Sequence, residues 1–139
     1  AGRVDTTHPV SGVDVVPTLC DLAGIPPPAG LPGSSWKPFL IGPDTTEAEG
    51  HDFVVTELKP FRDAAPDMEA RMVRSRDWKY IRFAGCPAEQ LLDMRNDPGE
   101  TTSLHADPRY ADVLARHRQG LKEWAVRTGD TPVWQTLSL

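Results

Sequence analysis

Two hydrophobic periods run along this chain and divide it into elements. An apolar stretch at Phe53-Val54-Val55, continuing through Thr56-Glu57-Leu58, predicts a strand, and its near-continuous character predicts an interior place in a sheet. Three further strands are predicted at Glu69–Ser75, Trp78–Phe83 and Glu89–Asp93, where Val73, Trp78, Tyr80, Ile81 and Phe83 carry the β-branched and aromatic preference. The charged pair Arg76-Asp77 and the run Gly85-Cys86-Pro87 separate them at hairpin spacing, so antiparallel order is expected. Spacings of three and four mark two helices. The first covers Val15 to Ala23, with Asp14 as N-cap, Pro17 in its first turn, Gly24 at its end and Val16, Leu19, Cys20 and Ala23 as its buried stripe. A longer one opens at Asp107-Pro108 and closes at Gly129, with Tyr110, Val113, Leu114, His117, Leu121, Trp124 and Ala125 on one face. Such a face needs an apolar partner, and the sheet supplies it. The fold class is therefore α+β: a small antiparallel sheet of about four strands packed against a long C-terminal helix.

The segments between these elements are read from their punctuation. Proline accounts for 14 of 139 residues, about twice the average usage. Most of it lies before the first strand, so Ile25 to Glu49 is expected to be a Pro/Gly-rich loop pinned by Trp36, Phe39, Leu40 and Ile41 and followed by the acidic cluster Asp44 to Glu49. Lys59 to Asp67 reads as a polar loop, and the residues after Asp130 as a loosely held tail anchored by Trp134. In Asn96-Asp97-Pro98-Gly99-Glu100, Asn and Asp bond the local backbone, Pro fixes φ and Gly is the expected permissive corner. The length predicts one core with an irregular leader. Ala1 to Val10 lacks periodicity and an initiator Met, which suggests a piece cut from a larger protein.

Charge and chemistry narrow the picture mainly by exclusion. A net charge of -5 without a clustered basic run argues against nucleic-acid or anionic-membrane partners. No apolar stretch approaches the roughly 18 residues of a membrane helix, and the first residues carry no signal pattern. Cys20 and Cys86 form no CxxC pair and no metal quartet, and whether they are bridged is open. His8, His51, His105 and His117 lack ligand spacing, and His117 on its helix face reads as a core or boundary imidazole. None of Ser11, Ser34, Ser35, Ser75, Ser103 and Ser138 lies in GxSxG, and Gly33-Ser34-Ser35 is not followed by GK[ST]. Turn formation accounts for Asp93, Asp97 and Glu100 better than a calcium cage does. The set Arg71, Arg74, Arg76, Lys79 and Arg82 is split between sheet faces and is expected to pair with nearby carboxylates. From the residues alone, this is a small domain without a self-contained active site.

Two blocks add a family resemblance. Val10 to Ile25 (VSGVDVVPTLCDLAGI), with Gly33-Ser34-Ser35-Trp36 shortly after it, resembles the segment by which sulfatases of the alkaline phosphatase superfamily leave their main domain. Arg71 to Phe83 (RMVRSRDWKYIRF) with Glu89 to Leu104 (EQLLDMRNDPGETTSL) is similar to the strand pair and acidic turn of their C-terminal part, apart from Leu92 where Tyr is common and Ser103 where Asn is usual.

The resemblance implies that residues 1–50 are the tail end of a main sulfatase domain with its connecting segment, and 51–139 a C-terminal subdomain. It implies a parent enzyme that hydrolyses sulfuric esters with a formylglycine, made within C/S-x-P-x-R, and a Ca²⁺ or Mg²⁺ ion. Neither group is implied for this stretch: Cys86 is followed by Pro87-Ala88-Glu89 and Cys20 by Asp21-Leu22. The implied role is to support the fold and border the substrate cleft without being catalytic alone, and Glu57, Lys59 and Arg62 are the candidate substrate contacts. The implied partners are an upstream catalytic domain of the same chain and, through it, a sulfated small molecule or glycan. A homodimer through the Val15–Ala23 helix is an expectation for the excised piece. A phosphonate or phosphodiester hydrolase of the same superfamily and a stand-alone interaction module are the alternatives. A periplasmic or secreted location accords with the family, with no residue here that decides it.

Overall fold

The computed structural model describes residues 4–41, 50–59, 69–84 and 87–130. The chain divides into two compact units, Ala1–Asp52 and Phe53–Leu139, where length alone suggested one core with an irregular leader.

The second unit contains strands β1 (Phe53–Leu58), β2 (Ala70–Ser75), β3 (Trp78–Phe83) and β4 (Glu89–Asp93), antiparallel throughout and adjacent in chain order. The strand boundaries follow the predicted ones to within one residue. The place of β1 does not: it is an outer strand, as is β4, rather than an interior one. Its first three residues are half-buried and its last three exposed, so the apolar run packs only where a helix covers it.

Period-two alternation puts Val55, Val73, Tyr80 and Leu91 in one rung across the four strands. Val73, Tyr80 and Leu91 are fully buried and meet Leu114 and Leu121 of helix α3 (Ala111–Thr128). This is the core expected from the two patterns. Entry to the helix is capped as predicted, with the Asp107 carboxylate accepting from Arg109 N at 3.0 Å over a 3-10 turn, Pro108–Tyr110. Gly129, at φ 68°, ends it in the left-handed region that favours glycine. Gly120 faces β1 so closely that a Cβ there would lie 2.7 Å from Phe53 Cε1.

His117 is the buried imidazole expected on this face. Its Nδ1–H donates to Val113 O at 2.8 Å, which leaves Nε2 to accept from Ser75 Oγ at 2.9 Å. Burial holds its pKa below the usual histidine value against the opposing Val113 bond, with Arg116 adding to the lowering. The ring is thus a neutral tie between α3 and β2.

In the acidic turn, Asp93 Oδ1 accepts from Arg95 N and Asn96 N, and Asp97 Oδ2 accepts from Thr101 N and Thr102 N. The left-handed corner falls on Glu100, at φ 57°, rather than on Gly99. The side-chain bonds on either side already direct the backbone there. Ser103 also bonds locally, its Oγ accepting from Leu91 N at 3.3 Å.

In the first unit, a 3-10 turn at Gly12–Asp14 leads into α1 (Val15–Ala23), which ends at Gly24 with φ 70°. The boundaries agree with the periodicity, but the burial does not. Pro17 and Thr18 are the buried residues of α1, while Val16, Leu19 and Ala23 of the expected buried stripe are exposed. A 3.6-residue pattern finds an apolar face; it does not supply a cover for it. Within the region expected to be loop, Lys37–Ile41 forms a short helix, α2, too brief for any period to show. The acidic cluster 44–49, Trp134 and Cys86 lie outside the described residues, as does any question of a Cys20–Cys86 bridge. No helix among the described residues is long and apolar enough to cross a membrane.

Candidate functional site

The predicted contact residues map to the end of β1. Glu57 and Lys59 are both exposed and paired, with Lys59 Nζ 3.4 Å from a Glu57 carboxylate oxygen. Arg62 lies outside the described residues. An exposed pair of this kind contributes little to stability, and its charges remain available to solvent or ligand.

Beside it the register assembles a charged rung. Glu57 lies opposite Arg71, Arg71 opposite Arg82 and Arg82 opposite Glu89, so every strand contributes one ionisable side chain. Alternation places this rung on the same sheet face as Val55, Val73, Tyr80 and Leu91. The core therefore ends in charge at the end of the sheet where β1 leaves and β4 begins.

Arg71 is 2% exposed, and its guanidinium is held from several sides. Nε donates to Asp130 Oδ2 at 2.8 Å and Nη2 to Asp130 Oδ1 at 3.0 Å, a two-point carboxylate clamp. Nη1 donates to Ala70 O at 3.1 Å, and Nη2 lies 3.4 Å from Glu69 Oε2. The Asp130 bond is the leading reason that the guanidinium pKa is raised; burial opposes it, and the fields of Asp130, Glu57 and Glu69 add to it.

The other end of the rung has its own centre. Glu89 accepts from Tyr80 Oη at 2.9 Å and from Arg118 through both Nε and Nη2. Burial pushes this carboxyl up, but the Arg118 and Tyr80 hydrogen bonds outweigh it and hold the pKa below the usual value. The same environment raises the Tyr80 phenol, chiefly through burial and then through the adjacent Glu89. Arg82 donates to Pro87 O at 3.1 Å and lies 3.9 Å from Glu89, while its Nε is buried without a partner among the described residues. Arg71, Arg76, Lys79 and Arg82 lie against carboxylates as expected, Arg71 and Arg82 of them in the interior, whereas Arg74 donates to the backbone carbonyls of Ser75, Arg76 and Trp78 instead.

In the first unit, Asp14 is fully buried. Its carboxylate accepts from Ser11 N and Ser34 N, both at 2.9 Å, and from Trp36 Nε1 and His51 Nε2, both at 3.0 Å. It makes no side-chain cap for α1, contrary to the expected N-cap role. Burial would raise its pKa; the bonds from His51, Ser34, Ser11 and Trp36 hold it below the ordinary value. The sequence signal was a lone acid inside the apolar run VDVVPT, at a position with too little water to leave it unpaired.

These arrangements bind and orient, and they do not assemble a reacting centre. No group of three or more His, Cys, Asp or Glu among the described residues is placed to hold a metal ion. Neither cysteine lies in C/S-x-P-x-R. The described residues thus do not fit the metal and formylglycine of a sulfatase centre.

Comparison with known proteins finds sulfatases and also a phosphonate monoester hydrolase of Agrobacterium radiobacter, whose solved structure superposes with a TM-score of 0.65 at 28% identity over 82% of this chain and 24% of that one. The model of the family described as N-sulphoglucosamine sulphohydrolase, C-terminal, matches residues 2–127. A Delta 4,5-hexuronate-2-O-sulfatase of Bacteroides thetaiotaomicron is 39% identical over 118 residues, covering 85% of this chain and 24% of the relative. A choline-sulfatase of Rhizobium meliloti is 38% identical over 132 residues, covering 90% and 24%. The solved structure of a 2-O GAG sulfatase superposes with a TM-score of 0.77 at 37% identity, over 90% of this chain and 26% of that one. The chain spans about a quarter of the length of each of these relatives.

Proposed function

Because this chain belongs to the family of N-sulphoglucosamine sulphohydrolase C-terminal domains, we propose that it serves a sulfuric ester hydrolase as the portion that supports the fold and borders the substrate cleft, without being catalytic alone. The family match over residues 2–127 carries this reading. The buried charges of Arg71, Glu89 and Asp14, each taken up in hydrogen bonds within the chain, support a structural role for these groups.

On this reading an upstream catalytic domain of the same chain supplies the formylglycine and the Ca²⁺ or Mg²⁺. Residues 1–50 belong to the tail of that domain and its connection, and 51–139 to the C-terminal subdomain. The substrate is a sulfated small molecule or glycan. Relatives at 39% and 38% identity are named for a hexuronate-2-O-sulfate and for choline sulfate, so each class has support. Glu57 and Lys59, with Arg62, are the proposed contacts to the non-sulfate part of the substrate.

The test is a rate comparison on the full-length protein with 4-nitrophenyl sulfate, a phosphonate monoester and a phosphodiester. Turnover highest on the sulfate ester is expected. Preference for either phosphorus ester assigns the protein to the sister activity of the superfamily and overturns the sulfatase reading.

A further inference from the structure

Asp130 stands directly after the glycine that ends α3, so the helix end fixes where its carboxylate lies. From there it occupies both the Nε and the Nη2 edge of Arg71. Arg71 faces a second carboxylate across the strands: Glu57 is its registered partner on β1, on the same sheet face. Directly opposed side chains of an antiparallel pair stand about 5 Å apart at Cβ, within the reach of an arginine. Yet Glu57 is paired with Lys59, at 3.4 Å. The fork of Arg71 is filled by Asp130, Ala70 O and Glu69, and none of its hydrogen bonds goes to Glu57.

We infer that Asp130 is a positioning residue for the Glu57–Lys59 edge: by filling the Arg71 fork from the helix end, it keeps Glu57 paired with Lys59 and so sets the charge that this edge presents. Without the Asp130 charge, the guanidinium keeps Glu69, and its vacated Nε edge turns to Glu57, the carboxylate directly opposite. A buried guanidinium cannot stay unpaired cheaply, whereas Glu57 gives up only a weak surface pair. Lys59 is then a free cation at the end of β1. This inference rests on the reading that the edge borders the cleft only where it concerns substrate; the change of partners is independent of it.

The experiment compares full-length wild type with Asp130→Asn, Arg71→Gln and the double variant by two readouts. The first is the acetylation rate of Lys59 by acetic anhydride, followed by mass spectrometry. The second is KM and kcat for 4-nitrophenyl sulfate. Asp130→Asn is expected to raise Lys59 reactivity roughly twofold, the scale of losing an exposed ion pair, and to lower KM for the anionic substrate with kcat unchanged. Arg71→Gln and the double variant have no guanidinium to recruit Glu57, so their Lys59 reactivity stays at the wild-type level. Mere loosening predicts no ranking: both single variants break the same pair, so both would expose Lys59 alike.

Equal reactivity in the two single variants, or no rise in Asp130→Asn, overturns the inference. If Arg71→Gln does not fold, the double variant, which buries no lone charge, decides in its place. A rise confined to Asp130→Asn with KM unmoved upholds the change of partners and overturns the cleft-border reading alone.

Discussion

The two units solve the same problem with different materials. Phe53–Leu139 buries apolar side chains: Val73, Tyr80 and Leu91 from three strands meet Leu114 and Leu121 from one helix, and buried charge lies toward the ends of the sheet, in the Arg71–Arg82–Glu89 rung and at Asp93. Ala1–Asp52 does the reverse. Among its described residues the most deeply buried side chain is a carboxylate, Asp14, while Val16 is 48% and Leu19 61% exposed. One unit is held by a hydrophobic interior, the other by hydrogen bonds centred on Asp14, with those of Thr18 and Asp21 beside them. A family portion that spans about a quarter of its relatives' length can contain both a complete core and an incomplete one, and burial distinguishes them where periodicity does not.

The sharpest way to break this contrast is a matched leucine pair. Leu121→Ala, in the core, is expected to cost about 2–5 kcal/mol and Leu19→Ala, on the exposed face of α1, less than about 0.5 kcal/mol, both read by urea denaturation of the chain. Similar losses would mean that the α1 face is covered after all, for instance by a second copy, and sedimentation would show it.

Next in size is the acid. Asp14→Ala strands the donors of Ser34, Trp36 and His51, at a cost of about 2–3 kcal/mol. Hydrogen exchange at the Ser34 and Trp36 amides should rise while Val73 and Leu91 stay protected. Joint loss of protection would show that the two units do not hold independently.

The smallest effect is one of pH. The folded His117 pKa lies below the ordinary value of about 6.5. The unfolded chain therefore takes up a proton first, and the stability that His117 contributes is complete above about pH 6.5 and is lost as pH falls toward the folded pKa. Glu89 and Asp14 are carboxylates with depressed folded pKa values, so their contributions are lost only lower, below about pH 4.5 and through the folded pKa. Acid should thus weaken the second unit before the first. In His117→Gln the loss that sets in below about pH 6.5 should vanish; if it persists, another group titrates there.

Much of this was legible in the chain because it depends on neighbours. Strand alternation, the Asp107-Pro108 start and the glycines at 24 and 129 are local signals, and the elements they predicted are present. What escaped depends on distant residues. Asp14 looked like a cap because its partners Ser34, Trp36 and His51 lie 20, 22 and 37 positions away. The clamp on Arg71 comes from 59 positions along the chain. A sharper hint was present: Arg71 alternates with Val73 on the core face of its strand, and a cation there requires a buried carboxylate somewhere. β1 was misplaced because an apolar run records that a strand is covered without recording how many neighbours it has. Of the candidate contacts, Glu57 and Lys59 were found together at the edge of the sheet, beside a buried network that no local pattern announces.

The central claim is that the chain is a sulfatase portion whose buried charges are structural and whose chemistry is supplied from elsewhere in the protein. Its most direct test is the initial rate of 4-nitrophenyl sulfate hydrolysis by this 139-residue chain, measured beside the full-length protein in Ca²⁺ and then in Mg²⁺. The account predicts turnover by the full-length protein and a rate at buffer background for the chain alone. Saturable turnover by the chain alone would contradict it.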